Sequence, residues 1–139
     1  MPRNSVLVVE DDDAIRQLLT EYLQMHAHVS VESARDGVEA LHRISTKPYA
    51  VVVLDIMMPK MSGVDLLDSL AALRRDPSVQ SPRSLPAVLV ITSVSDGEVS
   101  DRVLAEHCPE VVRGVFRKPL EMTALAEEVE RYLPLSPRA

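Results

Sequence analysis

The sequence predicts an α/β fold built on a single doubly wound sheet of five parallel strands, and two observations carry that prediction. Short aliphatic runs alternate with amphipathic helical stripes five times along the 139 residues, and strict alternation of this kind argues a parallel sheet with helices on both faces. The first, third and fourth runs are apolar at almost every position, as expected of strands buried on both sides.

The elements follow in order. Val6-Leu7-Val8-Val9 reads as the first strand. Ile15, Leu18, Leu19, Tyr22 and Leu23 then recur at helical spacing. The second strand, His28 to Glu32, alternates Val29 and Val31 with polar neighbours, which suits a half-exposed edge. Val38, Leu41 and Ile44 mark the second helix, and Ala50 to Leu54 the third strand. Val64, Leu67, Leu70, Ala71 and Leu73 mark the third helix. Asp76 to Pro86, with three Pro and three Ser, reads as a long surface loop. Ala87 to Ile91 is the fourth strand, and Val99, Val103 and Leu104 form a fourth helical stripe. Val111 to Phe116 is the fifth strand, and Met122, Leu125, Ala126, Val129 and Leu133 form the last helix. Right-handed crossovers favour the strand order 2-1-3-4-5, a flavodoxin-like (βα)5 arrangement. Residues 1–134 are expected to form one domain and residues 135–139 a flexible tail.

Composition narrows the function classes. A net charge of -6 argues against direct nucleic-acid binding, which calls for a basic stripe. With one Phe, three Tyr and no Trp, the core must be aliphatic. Cys108 is the single cysteine, so no intrachain disulfide forms and a reducing cytoplasm is the simplest setting. No apolar run is long enough to span a bilayer, and Met1-Pro2-Arg3-Asn4 carries no signal-peptide pattern.

In open parallel sheets, ligands gather beyond the carboxyl ends of the strands. Those ends read Glu10-Asp11-Asp12-Asp13, then Asp55, then Thr92-Ser93, then Arg117-Lys118-Pro119. Asp55 is the most informative, because an ionisable group straight after a buried aliphatic run must be solvated, paired or metal-bound. Crowded carboxylates repel one another, and an oxygen-only set favours a hard cation such as Mg²⁺. Lys118 and Thr92 suit phosphoryl oxygens. Together these groups describe phosphoryl transfer to an aspartate. Taken singly, each has a plainer role: Asp12 and Asp13 as caps of the first helix, Asp55 as a turn residue, Thr92 as a structural hydroxyl, Lys118 as a solvated amine.

The stretches Val6 to Asp12, Leu54 to Gly63, Ile91-Thr92-Ser93 and Arg117-Lys118-Pro119 resemble the receiver domain of two-component response regulators, from about Ser5 to Leu133. The resemblance implies a signalling switch rather than a conventional enzyme. Asp55 would be the phospho-acceptor, charged by a histidine kinase, a histidine phosphotransfer protein or a small phosphodonor. Asp11, Glu10, Asp55 and the backbone carbonyl of Met57 would hold Mg²⁺. Thr92 and Lys118 would bind the phosphoryl group, and the Lys118–Pro119 bond would be cis. The output would be a changed protein-binding surface on the fourth and fifth helical segments and the fifth strand, with a homodimer as one form of it.

Three departures stand against the family pattern. Val115 occupies the place of the usual aromatic switch residue, with Phe116 one position later in a core role. The spacing from Asp55 to Thr92 is long, with the excess in Asp76 to Pro86. The segment from His107 to Gly114 lacks the usual glycine-alanine-aspartate stretch. Met57 and Val94 are apolar and offer no hydrogen bond to an attacking water, which implies a long-lived phospho-state. The rival readings are a pseudo-receiver that binds without phosphorylation, a haloacid dehalogenase-type phosphotransferase and a flavin or nucleotide module. The second is opposed by Met57 where that family has a second aspartate. The third is opposed by acid where a glycine-rich phosphate loop would lie.

Overall fold

The computed structural model describes residues 5–27, 29–55, 63–75, 86–92 and 112–133, with no account of the side chains of residues 27, 63, 64 and 73–75. The strands are β1 (Ser5–Val9), β2 (Ser30–Ala34), β3 (Val51–Asp55), β4 (Ala87–Thr92) and β5 (Val112–Arg117). The helices among the described residues are α1 (Asp13–Ala27), α2 (Gly37–Thr46), α3 (Gly63–Arg75) and α4 (Met122–Arg131). The five strands form one sheet in the order β2-β1-β3-β4-β5, and every pairing is parallel, as the alternation predicts.

Side chains alternate across a strand, and here the alternation builds two cores. Leu7, Val9, Val52, Leu54, Val88 and Val90 pack with Leu66, Leu67 and Leu70 of α3 and Ala40 of α2. Val6, Val8, Val51, Val53, Leu89 and Ile91 pack on the other face with Leu19 and Leu23 of α1 and Leu125 and Val129 of α4. All of these strand residues are essentially inaccessible, which is why the first, third and fourth strands carry almost no polar residue.

β5 breaks the parity. Its register against β4 shifts between Val88 and Leu89, so that Val88 pairs Val112 but Leu89 pairs Gly114. Arg113 is thereby an extra residue, as in a bulge. Val112 and Val115 therefore join the same core despite their odd spacing, while Phe116 packs on the opposite face. A Cβ at Gly114 would lie 3.0 Å from Leu89 Cδ2, so any side chain here would require the Leu89 side chain to shift by a few tenths of an ångström.

Several expectations need adjustment. β2 starts and ends two residues later than the Val29/Val31 alternation suggested. Ala34 pairs with Val9, its carbonyl accepts from Glu10 N at 3.1 Å, and its methyl is buried, so backbone pairing extends the strand past Glu32. Its exposed and half-buried positions do mark it as an edge. Ile15, Leu18 and Val38, members of the apolar helical stripes, are nevertheless 37%, 58% and 54% exposed. Among its described side chains α1 fully buries Leu19 and Leu23 alone, and its Ile15–Leu18 side faces a groove instead of the sheet. The fourth helical stripe, residues 76–85 of the predicted loop, Met57, Ser93, Val94, Cys108 and the tail lie outside the described residues. Among the described residues no helix is long and apolar enough to cross a membrane.

Candidate functional site

The site forms where β1, β3 and β4 end and β5 runs into α4. The chain leaves β1 at Glu10, whose side chain is buried although it is a carboxyl group, at 2% exposure. Glu10 Oε2 accepts from Asp12 N at 3.1 Å. Its Oε1 is buried without a donor among the described residues. Burial, and to a smaller extent the negative charge of Asp55, push the Glu10 carboxyl up to about 8 against the pull of the Asp12 N–H.

The four consecutive acids have different tasks. Asp12 caps α1, its Oδ1 accepting from Ile15 N at 3.0 Å and its carbonyl from Arg16 N at 2.9 Å. Asp13, in the first turn of α1, pairs with Arg16 Nη2 at 2.5 Å. That leaves Glu10 and the exposed Asp11 for the site. One carboxylate oxygen from each of Glu10, Asp11 and Asp55 lies within 4.8 Å of the other two. Asp55 is the last residue of β3 and 5% exposed.

The cationic side comes from β5. Lys118 Nζ stands 3.7 Å from Asp55 Oδ2, and its backbone N donates to the carbonyl of Thr92 at 2.8 Å. The Lys118–Pro119 peptide is cis, as the resemblance implied. Thr92 ends β4 fully buried, and its Oγ1 has no hydrogen-bond partner among the described residues.

Five of the residues read from the sequence thus meet at one edge: Glu10, Asp11, Asp55, Thr92 and Lys118. The Met57 carbonyl lies outside the described residues. The donor set fits a hard divalent cation, because it is all oxygen and carries a buried carboxylate oxygen that no donor among the described residues satisfies. Sequence reasoning missed Arg16, whose guanidinium also donates to the Glu10 carbonyl at 3.0 Å. The Asp13–Arg16 spacing, which places two opposite charges on one helix face, was the available signal. It also missed an apolar groove of about 310 Å³ beside the site, lined by Ile15, Leu18, Pro119 and Leu120 and bounded by Glu10 and Lys118.

Comparison with known proteins agrees with this geometry. Residues 6–130 match the family described as response regulator receiver domain. Regulatory protein VanRB of Enterococcus faecalis is 32% identical over 128 residues, covering 92% of this chain and 51% of that protein. Response regulator MprA of a Mycobacterium species is 40% identical over 98 residues, covering 70% of this chain and 37% of MprA. The chain thus spans about half, or less, of the length of these relatives. The receiver domain of Francisella response regulator 1452 superposes with a TM-score of 0.75 at 26% identity, covering 95% of this chain and 96% of that one. Chemotaxis protein CheY4 of Vibrio cholerae gives 0.73 at 27% identity, covering 94% and 99%. With the family match running from β1 to within α4, the chain belongs to the response regulator receiver domain family.

Proposed function

We propose that this chain, as a receiver unit over residues 1–134, accepts a phosphoryl group on Asp55 from a histidine kinase or histidine phosphotransfer protein and switches a protein-binding surface in response. The observation that carries the reading is the setting of Asp55: a buried strand-end carboxylate with Glu10 and Asp11 on one side and Lys118 Nζ on the other. Response-regulator relatives imply a histidine kinase as partner in general. The net charge of -6 supports a chain that does not itself touch nucleic acid, and its single cysteine supports a cytoplasmic setting.

Glu10, Asp11 and Asp55, with the carbonyl of Met57, would hold Mg²⁺. When bound, the cation supplies charge neutralisation for the carboxylates and the phosphoryl oxygens. An Asp55 carboxylate oxygen attacks phosphorus, the P–N bond to the donor imidazole breaks, and the electron pair leaves with the imidazole, which takes up a proton. Lys118 Nζ balances the charge gathering on the phosphoryl oxygens. Thr92 Oγ1 donates to one of them, gaining a partner that it lacks among the described residues. The new group carries about −1.5 to −2 charge, and its contacts with Thr92 and Lys118 bias the equilibrium between two surface states. The apolar groove between α1 and Pro119–Leu120 is bounded by Glu10 and Lys118 and supports docking of the donor's histidine-bearing element there.

The test is intact-mass measurement after incubation with Mg²⁺ and acetyl phosphate, with a kinase-charged arm in parallel. A labile phosphoryl adduct is expected, absent without Mg²⁺ and absent in Asp55→Asn. No adduct from either donor would leave the phosphorylation-independent binding module as the standing reading.

A further inference from the structure

The run Glu10-Asp11-Asp12-Asp13 places four negative charges in sequence, yet only two of them reach Asp55. Something must hold the chain so that this division persists, because free carboxylates this close repel one another. Arg16 is placed to do so. Its Nη1 donates to the Glu10 carbonyl at 3.0 Å and its Nη2 pairs with Asp13 Oδ1 at 2.5 Å. Its own N–H donates to the Asp12 carbonyl at 2.9 Å, so one residue grips the chain at Glu10, Asp12 and Asp13. The side chain is only 16% exposed, against 85% for Asp13, so the guanidinium is held inward while the fourth acid is kept outward.

We propose that Arg16 is a positioning residue for the cation site: by clasping the Glu10 carbonyl and Asp13, it fixes the Glu10–Asp11 carboxylates toward Asp55 and keeps Asp13 out. The inference rests on the cation-site reading above and adds a residue to it. Groups that orient metal ligands matter for affinity nearly as much as the ligands themselves. The sign of the effect is diagnostic. By charge alone, removing a cation next to a cation site tightens Mg²⁺ binding. If Arg16 positions the ligands, removing it weakens Mg²⁺ binding.

The test is calorimetric Mg²⁺ titration of the full chain and of Arg16→Met and Arg16→Lys, with thermal unfolding of each in the absence of Mg²⁺. Arg16→Met is expected to bind Mg²⁺ about tenfold more weakly while still unfolding cooperatively. Arg16→Lys, which keeps one donor, is expected to fall between it and the original chain. If Arg16→Met does not fold, Arg16→Lys decides alone. Unchanged or tighter Mg²⁺ binding by either folded variant overturns the proposal. Failure of the original chain to bind Mg²⁺ overturns the cation-site reading itself, and with it any positioning role.

Discussion

Glu10 and Glu32 lie in neighbouring strands or at their ends, and the protein treats them in opposite ways. Glu32 sits in edge strand β2, opposite Leu7, ringed by donors. Lys47 Nζ pairs with it, Arg43 Nη1 stands 3.3 Å away, and the hydroxyl of the buried Tyr49 donates at 2.5 Å. The Lys47 and Tyr49 bonds hold the Glu32 carboxyl below its ordinary value. Burial, and then the bond to Glu32, push the Tyr49 hydroxyl up to about 12. Glu10 is more deeply buried, has one backbone donor among the described residues, and shares its space with two other carboxylates. A structural carboxylate is compensated within the chain. Among the described residues Glu10 Oε1 has no donor, and a buried polar atom of this kind calls for an explanation such as a bound ion.

The comparison is broken or sharpened by four substitutions, taken from the largest expected effect. Asp11→Ala removes one of the carboxylates proposed to hold Mg²⁺. At a Mg²⁺ concentration about 100-fold above the dissociation constant, binding stabilises the original chain by about 2.7 kcal/mol. The variant is expected to lose most of that gain in denaturant melts with and without Mg²⁺. A full Mg²⁺ gain in the variant contradicts the assignment.

Glu10→Gln comes next, in the cation-free protein. The folded carboxyl stays protonated up to about 8, while the unfolded one ionises above about 4.5. Between those values the unfolded chain binds fewer protons, so stability falls as pH rises. The neutral isostere escapes that loss, with a gain on the order of 2 kcal/mol at pH 8 that vanishes near pH 4. Equal stability of the two chains at pH 8 would mean that Glu10 is no less satisfied than Glu32.

Tyr49→Phe deletes a donor from the compensated cluster. A loss of about 1 kcal/mol is expected, with Mg²⁺ affinity unchanged because the cluster lies at the β2 edge. The smallest effect belongs to Glu32→Gln. Glu32 has a lowered folded pKa, so its contribution is present above its unfolded value near 4.5 and is lost as pH falls through the folded one. The variant should therefore show a shallower acid-side decline in stability. A decline as steep as the original's would place that acid sensitivity elsewhere.

How much of this was legible in the sequence depends on the range of the signal. Strand order and the two-sided burial of β1, β3 and β4 follow from aliphatic runs that are visible locally. The meeting of Glu10, Asp11, Asp55, Thr92 and Lys118 follows from their shared position at strand ends, since a parallel sheet brings those ends to one edge. The Glu32–Lys47–Tyr49–Arg43 cluster has no periodic signature, because its members come from β2, α2 and the α2–β3 connection. The β5 bulge was equally hidden, since Val112 and Val115 look out of phase until Arg113 is known to be extra. Ile15 and Leu18 have the right spacing for a core stripe, but α1 had more apolar surface than the sheet could cover. Asp12 was readable as the cap of α1 and the Asp13–Arg16 pair had its i,i+3 spacing, whereas the Arg16 bond to the Glu10 carbonyl depends on how the chain turns out of β1.

The central proposal is that the sheet edge carrying Glu10, Asp11, Thr92 and Lys118 receives a phosphoryl group on Asp55. Its most direct test is fragment mass mapping of the full chain after Mg²⁺ and acetyl phosphate treatment, alongside charging by a histidine kinase. The phosphoryl group is predicted on the peptide carrying Asp55 and on no other, with yield falling in Asp11→Ala. A phosphoryl group mapped to another residue, or undiminished labelling in Asp55→Asn, would contradict it.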